Sequence, residues 1–414
     1  MYIHREAEPT LRSLLGQFKV VLVTGPRQVG KTTLIRTCLA DEYGYVTLDD
    51  PVALSQARED PALFFQDHPL PLVIDEVQYA PGLFGYVKYL VDQRDEQGQV
   101  ILTGSQTDHL MQGVSESLAG RVALLELPGL SMRELLGTAG RGPYVPGVTA
   151  PAALAGGSPA MGGMPATGGV PDVWELAWRG SMPRLQQPDV DWDTYYANYE
   201  RTYLERDVRA LVNVRDSSAF YRFLVAAAAR TGQLLNMSDL ANDVDIDAKT
   251  AKSWLSVLQA SGIVRLVQPW FSNVAKRLSK TPKLHFMDTG LACHLLGWTS
   301  PEVLARGAMA GNVFETFVVG EVLKSFLNAG RDGQAVFFYR DASKREVDLL
   351  IRDGRTLHPV EIKASASPRR EAIASFAALD ALGDVEVGAG AVLCRAERPY
   401  SLSESVKAVP VWEI

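Results

Sequence analysis

The stretch GPRQVGKTT, running from Gly25 to Thr33, decides the reading of the first third of this chain. It fits the pattern G-x-x-x-x-G-K-[ST]: Gly25, then Pro26, Arg27, Gln28 and Val29, then Gly30, Lys31 and Thr32. Glycines at those places let backbone N–H groups curl around phosphate oxygens, and a helix starting just behind adds its positive end. Lys31 is expected to reach the β- and γ-phosphates, and the Thr32 hydroxyl to ligate magnesium. Every residue from Gly25 to Thr33 is therefore a candidate nucleotide contact, with ATP and Mg2+ as the expected cofactors.

The flanking sequence supplies the setting this loop needs. Residues 18–24, FKVVLVT, form an apolar β-branched run that reads as a buried parallel strand, and TTLIRTCLA after the loop reads as a helix. Further strands are expected at Tyr45–Leu48, Leu70–Ile74, Val100–Leu102 and Val122–Leu127, with helices between them. Strands alternating with helices imply an α/β domain on a mainly parallel sheet. LVIDE, residues 72–76, is an apolar strand ending in paired acids. Asp75 is expected to hold magnesium through water, and Glu76 to orient or deprotonate the attacking water. ILTGSQ sets Ser105 and Gln106 at the end of the next strand, Gln106 being the favoured sensor of the γ-phosphate. Arg121, in SLAGR, is a candidate arginine finger in cis or from a neighbouring subunit, or else an ordinary surface arginine.

Composition narrows the class. The chain has 414 residues, too many for one hydrophobic core, with 47% hydrophobic and 21% charged residues, as in soluble globular proteins. A formal net charge of −7 confines any nucleic-acid surface to a local basic patch. The cysteines Cys38, Cys293 and Cys394 lie far apart without CxxC spacing, which fits a reducing cytoplasm. No apolar run is long enough to span a bilayer, so no membrane partner is expected.

Beyond the first domain, residues 139–171 turn abruptly to Gly, Ala and Pro and read as a flexible linker or inserted loop. Residues 172–230 look helical, with an aromatic stripe that suits helix packing. Residues 231–300 hold a helix-turn-helix pattern. Its second helix begins at Asp247 as N-cap and stops at Gly262, before a strand-like IVRLV. Lys249, Lys252, Ser253 and Ser256 would line that helix's exposed face, and Lys276, Arg277, Lys280 and Lys283 form a basic run at 276–283. Both suit phosphate contacts to DNA, although such modules also serve as packing units beside ATPase cores.

Residues 301–414 begin with an amphipathic helix, 311–327, followed by strands around 336–339, 346–351 and 358–363. A hairpin with its loop at 353–356 pairs Arg352 with Leu357, which sets Asp348 opposite Glu361. In a strand, residues two apart share a face, so Lys363 joins them, and Glu315 on the preceding helix can too. Two carboxylates and a lysine at one point suit a divalent cation and an activated water. The spacing D-x(12)-E-x-K is the PD-(D/E)XK nuclease pattern; ordinary salt bridges on solvated strands are the plain alternative.

The motifs GPRQVGKTTL, YVTLDDP, VIDEVQ, ILTGSQ, SLAGR, YLERDVR, KRLSKTPKLHFMDTGLA, GNVFETFVVGEV, EVDLLI and VEIKAS, in this order, resemble the prokaryotic AAA-type ATPases that carry a C-terminal domain of unknown function. The resemblance implies an α/β fold class. A parallel-sheet, AAA-like P-loop domain over 1–138 would be followed by a helical and winged-helix region, then a restriction-endonuclease-like α/β domain over 301–414. A homo-oligomer is the expectation by analogy. Two functions follow. One is a Mg-dependent ATPase acting on or near DNA with a nuclease-like domain. The other is a nucleotide-dependent switch whose C-terminal domain binds a partner without cleaving it.

Overall fold

The computed structural model describes residues 1–414 except 1, 105–107, 139, 141, 150–171, 205–216, 272–279 and 384. Strands β1 (Val20–Thr24), β2 (Gly44–Thr47), β3 (Leu72–Asp75), β4 (Val100–Thr103) and β5 (Val122–Glu126) form a five-stranded sheet in the order β2-β3-β4-β1-β5. Every pairing in it is parallel. Residues of β1, β3 and β4 are buried throughout, as expected where helices cover both faces of a parallel sheet. The strand order sets the C-terminal ends of β1, β4 and β3 side by side, and the loops leaving those ends build one site.

The second sheet is larger. It contains β6 (Gln233–Leu234), β7 (Val264–Pro269), β8 (Lys283–Phe286), β9 (Val336–Arg340), β10 (Glu346–Asp353), β11 (Thr356–Lys363), β12 (Glu386–Val387), β13 (Gly390–Cys394), β14 (Tyr400–Ser401) and β15 (Val406–Pro410). They make one ten-stranded mixed sheet, in which β7 pairs parallel with β9 at Gln268↔Phe337 and Pro269↔Phe338. The ladder of this sheet therefore spans the boundary expected at 300/301. β7 offers one edge to β8 and the other to β9, so the backbone ladder continues across it.

Two other expectations change. The helix expected at 311–327 runs over Ala310–Asn328 and is not amphipathic: every residue from Thr316 to Asn328 is buried. Lys324 among them is paired internally: its Nζ meets Glu321 Oε1 at 2.7 Å and the Leu130 carbonyl at 3.0 Å. The Gly/Ala/Pro-rich stretch is also not wholly a free linker. Tyr144 and Val145 are buried in the core around that helix, and the Tyr144 N–H donates to Ser325 Oγ at 2.9 Å. The rest of it, 150–171, lies outside the described residues.

Candidate functional site

The loop from Gly25 to Gly30 leaves the buried β1 and enters the helix Lys31–Leu39. Gly25 has φ +145°, and a Cβ there would lie 2.1 Å from the Leu127 carbonyl oxygen, so only glycine fits. Gly30 is left-handed at φ 92° and brings no side chain to cap the helix. The first turn of the helix is thus left without a side-chain cap, the arrangement that binds anions at a helix start. Lys31 Nζ sits 3.0 Å from the carbonyl oxygens of both Gly25 and Pro26, curled along the loop. Arg27 is half-buried; Gln28 and Thr33 are exposed.

The acidic end of β3 faces this loop. Thr32 Oγ1 donates to Asp75 Oδ2 at 2.9 Å, so the hydroxyl and carboxylate expected to serve one cation already touch. Tyr45 Oη donates to the same oxygen at 2.7 Å, and Thr103 Oγ1 donates to Asp75 Oδ1. A buried carboxylate next to a hydroxyl, at the mouth of a phosphate loop, is a donor set that fits Mg2+. Burial, followed by the Asp75 bond and charge, pushes the Tyr45 phenol well above its ordinary range, so it stays a donor.

Glu76 follows at φ 57° in the left-handed region, with its N–H aimed at Thr103 Oγ1 at 3.4 Å. Gln78 Nε2 donates to Glu76 Oε2. Tyr45, Thr103 and Gln78 were missing from the sequence reading. Only the polar end of VIDEVQ hinted at Gln78, and nothing marked Tyr45 or Thr103 as neighbours of Asp75. Gln106 lies outside the described residues, as does Ser105.

Arg121 lies at the far end of the sheet from the P-loop. Its guanidinium makes an exposed pair with Asp92, Nε–Oδ1 2.5 Å and Nη2–Oδ2 2.9 Å. Its carbonyl accepts from the Val20 N–H, at the start of β1. The P-loop leaves the opposite end of that strand, roughly 15 Å away at ~3.3 Å per residue. Arg121 therefore does not serve as a finger in cis.

Later parts of the chain grip the outer side of the loop. Tyr195 Oη donates to Gln28 Oε1 at 2.7 Å. Gly262 packs against Pro26, where a Cβ would come within 2.8 Å of the ring. Arg5, fully buried, donates from Nη1 to the Val29 carbonyl at 2.7 Å and from Nε to Glu134 Oε1 at 2.9 Å. Arg265 at β7 pairs with Glu126 at the end of β5. The P-loop is thus in direct contact with residues 195 and 262.

In the second sheet, β10 and β11 pair as the spacing implied, with Arg352 opposite Leu357 and Leu349 opposite Val360. The Ile362 N–H donates to Asp348 Oδ2 at 2.8 Å, and Lys363 Nζ meets Glu361 Oε1 at 2.6 Å. Ser375 Oγ donates to Glu361 Oε2 at 3.2 Å. Burial, then the Asp348 charge, pushes the Glu361 carboxyl up to about 7. Asp348 is raised as well, chiefly by burial.

Glu315 and Lys283 depart from expectation together. Lys283, read as the last cation of an exposed basic run, is buried; its Nζ meets Glu315 Oε1 at 2.8 Å and Glu346 Oε1 at 2.6 Å. All four residues of β8 are buried, Lys283 among them. Glu315, expected as a metal ligand, is instead this lysine's partner. Burial opposes the charge on Lys283, but Glu315, Asp348 and Glu346 outweigh it and raise its pKa. Lys280 is exposed, whereas Lys276 and Arg277 lie outside the described residues. No group of three or more Asp, Glu, His or Cys among the described residues is arranged to hold a metal ion. Likewise, no described helix is long and apolar enough to cross a membrane.

Comparison with known proteins agrees with this layout. Residues 17–136 match the AAA domain family. Residues 170–302 and 310–414 match two domains of unknown function, DUF8612 and DUF4143. The uncharacterized proteins Rv2008c of Mycobacterium tuberculosis and Mb2031c of Mycobacterium bovis are each 31% identical over 411 residues, 99% of this chain and 84% of theirs. The chain belongs to their family. It is an AAA-type P-loop ATPase with a C-terminal domain of unknown function. Among solved structures, a Walker-type ATPase of Pyrococcus abyssi is similar at 14% identity and TM-score 0.40, covering 70% of this chain and 94% of that one. A RuvB variant of Thermotoga maritima follows at 14% identity and TM-score 0.27, covering 63% and 85%.

Proposed function

We propose that this family member is a magnesium-dependent ATPase whose nucleotide state is passed to a DNA-contacting winged helix over residues 231–300. In this reading Gly25–Thr33 bind the phosphates and Lys31 leaves its two carbonyls for the β- and γ-phosphates. Thr32 and Asp75 hold magnesium, which when bound neutralises charge on the phosphates. Glu76 orients the attacking water or accepts its proton, and Gln78 and Thr103 fix the direction of Glu76 and Asp75. The observation that carries the relay is the grip on the loop's outer side. Any movement of Pro26, Gln28 or Val29 on phosphate binding must be accommodated by Gly262, Tyr195 or Arg5.

The order helix Ser217–Ala228, β6, helix Met237–Asn242, helix Ala248–Ala260, β7 and β8 supports the winged helix, with β8 pairing antiparallel to both β6 and β7. Asp247 caps the second helix of the pair, and Lys249, Lys252 and Ser256 are exposed along it. That face is free to meet phosphates in a major groove. The meeting of Asp348, Glu361 and Lys363 across the β10–β11 hairpin supports a restriction-endonuclease-like fold for 301–414, with cleavage a separate question.

The test is ATP hydrolysis and DNA binding measured together. Glu76→Gln should retain ATP binding while hydrolysis falls on the order of 10²–10⁴-fold. Duplex DNA affinity should differ between the ATP-loaded Glu76→Gln chain and the nucleotide-free chain. Replacing Lys249 and Lys252 with Ala should weaken binding and flatten its salt dependence. Equal affinity in both nucleotide states would reject the relay, and no DNA binding at all would reject the winged-helix role.

A further inference from the structure

The carboxylates around β10 and β11 have the residue types of a divalent-cation site, yet most of their oxygens are engaged. Glu315 Oε1 holds Lys283; Glu346 Oε1 holds Lys283, and its Oε2 lies 3.4 Å from Arg340 Nη1. Asp348 Oδ2 accepts from the Ile362 N–H, and Glu361 gives one oxygen to Lys363 and the other to Ser375. Four carboxylates are thus faced by two ammonium groups and a guanidinium. A hard dication asks for several free oxygen ligands at about 2.0–2.6 Å, and here it would also sit against buried ammonium charge. The donor set does not fit Mg2+ as arranged.

We propose that Lys283 is the resident cation of this cluster, filling with its ammonium the place a divalent metal would take, so that the C-terminal domain binds no metal there. The position of the lysine supports this directly. It comes from β8, in the winged-helix segment, and its side chain is only 4% exposed. From there it reaches both Glu315 on the long helix and Glu346 on β10, passing 5.6 Å over the Phe338 ring. One fixed positive group therefore joins the same elements that a bridging metal would join. Unlike a metal it brings no water, so it offers no metal-bound hydroxide for attack on a phosphodiester. The cluster then serves to lock β8 against the C-terminal helix and sheet. This reading concerns a site apart from the P-loop and does not depend on ATP hydrolysis.

Mn2+ binding to the full-length chain tests it, measured without nucleotide in an Asp75→Asn background that removes the ATP-site carboxylate. With Lys283 intact, no stoichiometric Mn2+ site is expected. Adding Lys283→Met removes the ammonium shared by Glu315 and Glu346 and should create one Mn2+ site, tighter by at least about tenfold. Adding Glu315→Gln should remove that site again. A one-to-one Mn2+ site in the Lys283-intact chain that disappears on Asp348→Asn would overturn the proposal, and this arm needs no substitution at Lys283. A folded Lys283→Met chain that gains no Mn2+ affinity would overturn it too.

Discussion

The P-loop and the C-terminal cluster each contain a buried lysine, and the two lysines keep different company. Lys31 leans on the peptide carbonyls of Gly25 and Pro26, neutral acceptors that fully charged phosphates can displace. Lys283 is clamped between the carboxylates of Glu315 and Glu346, and Asp348 adds to the field that keeps it charged. Around Lys31 the first-turn N–H groups and the Thr32–Asp75 pair still offer a ligand something to bind. Around Lys283 the chain already supplies both signs of charge. A buried lysine beside carbonyls marks a place for an incoming anion, whereas one beside carboxylates is a finished internal pair.

Substitutions at the two lysines should therefore break different properties. Lys31→Ala should weaken ATP binding by roughly 100-fold or more, about 2.7 kcal/mol, with little change in unfolding midpoint. Calorimetric titration with a non-hydrolysable analogue checks this, and unchanged affinity would dissolve the contrast. Lys283→Met should do the reverse. Removing one partner of a buried ion pair costs roughly 3–5 kcal/mol, read as a lower urea midpoint, while ATP affinity stays near that of the parent.

A third measurement sharpens the comparison through pH. His285 lies two residues after Lys283, buried, with Nδ1 3.2 Å from Thr316 Oγ1. Burial, then the Lys283 charge, holds its pKa down to about 3. Its neutral form belongs to the folded state, so its contribution is complete above the unfolded value near 6.5. It is lost as pH falls from there toward 3, at up to about 1.4 kcal/mol per pH unit. Between pH 7 and pH 5 the parent chain should lose more stability than His285→Gln, by about 1–2 kcal/mol. Parallel pH profiles would mean that this histidine takes up its proton over the same pH range in the folded and the unfolded chain. The smallest effect is expected at Tyr195→Phe, which deletes one hydrogen bond to the rim of the P-loop. ATP affinity should shift only a few-fold, about 1 kcal/mol, with hydrolysis once bound unchanged.

The two sites were unequally legible in sequence. Gly25, Gly30, Lys31, Thr32 and Asp75 are tied to local geometry: a strand end, a left-handed turn, a helix start. Each of those leaves its own residue type, so both pattern and placement could be read along the chain. The β10–β11 hairpin was legible for the same reason, because a short loop and the two-residue repeat fix which side chains meet. Lys283 was not. It belongs to a run of cations whose spacing looks like an exposed basic face, and its partners lie 32 and 63 positions away, on elements whose docking no local pattern encodes. Arg121 differs, since in a parallel sheet a residue just before a strand borders the end opposite the P-loop, so its distance in cis follows from the strand pattern.

The sequence by itself determined the parallel α/β ATPase domain, the phosphate loop with its acidic partner strand, and the register of the C-terminal hairpin. These are set by short-range periodicity and by backbone conformations that only certain residues can adopt. Tertiary structure alone decided that β7 joins β9 and merges two expected domains into one sheet. It decided that the long helix is buried around its circumference and that Tyr195, Gly262 and Arg5 hold the P-loop from outside. It also decided that Lys283 fills the acidic cluster. Each of these depends on which surfaces meet, and therefore on desolvation and charge pairing between residues far apart in the chain.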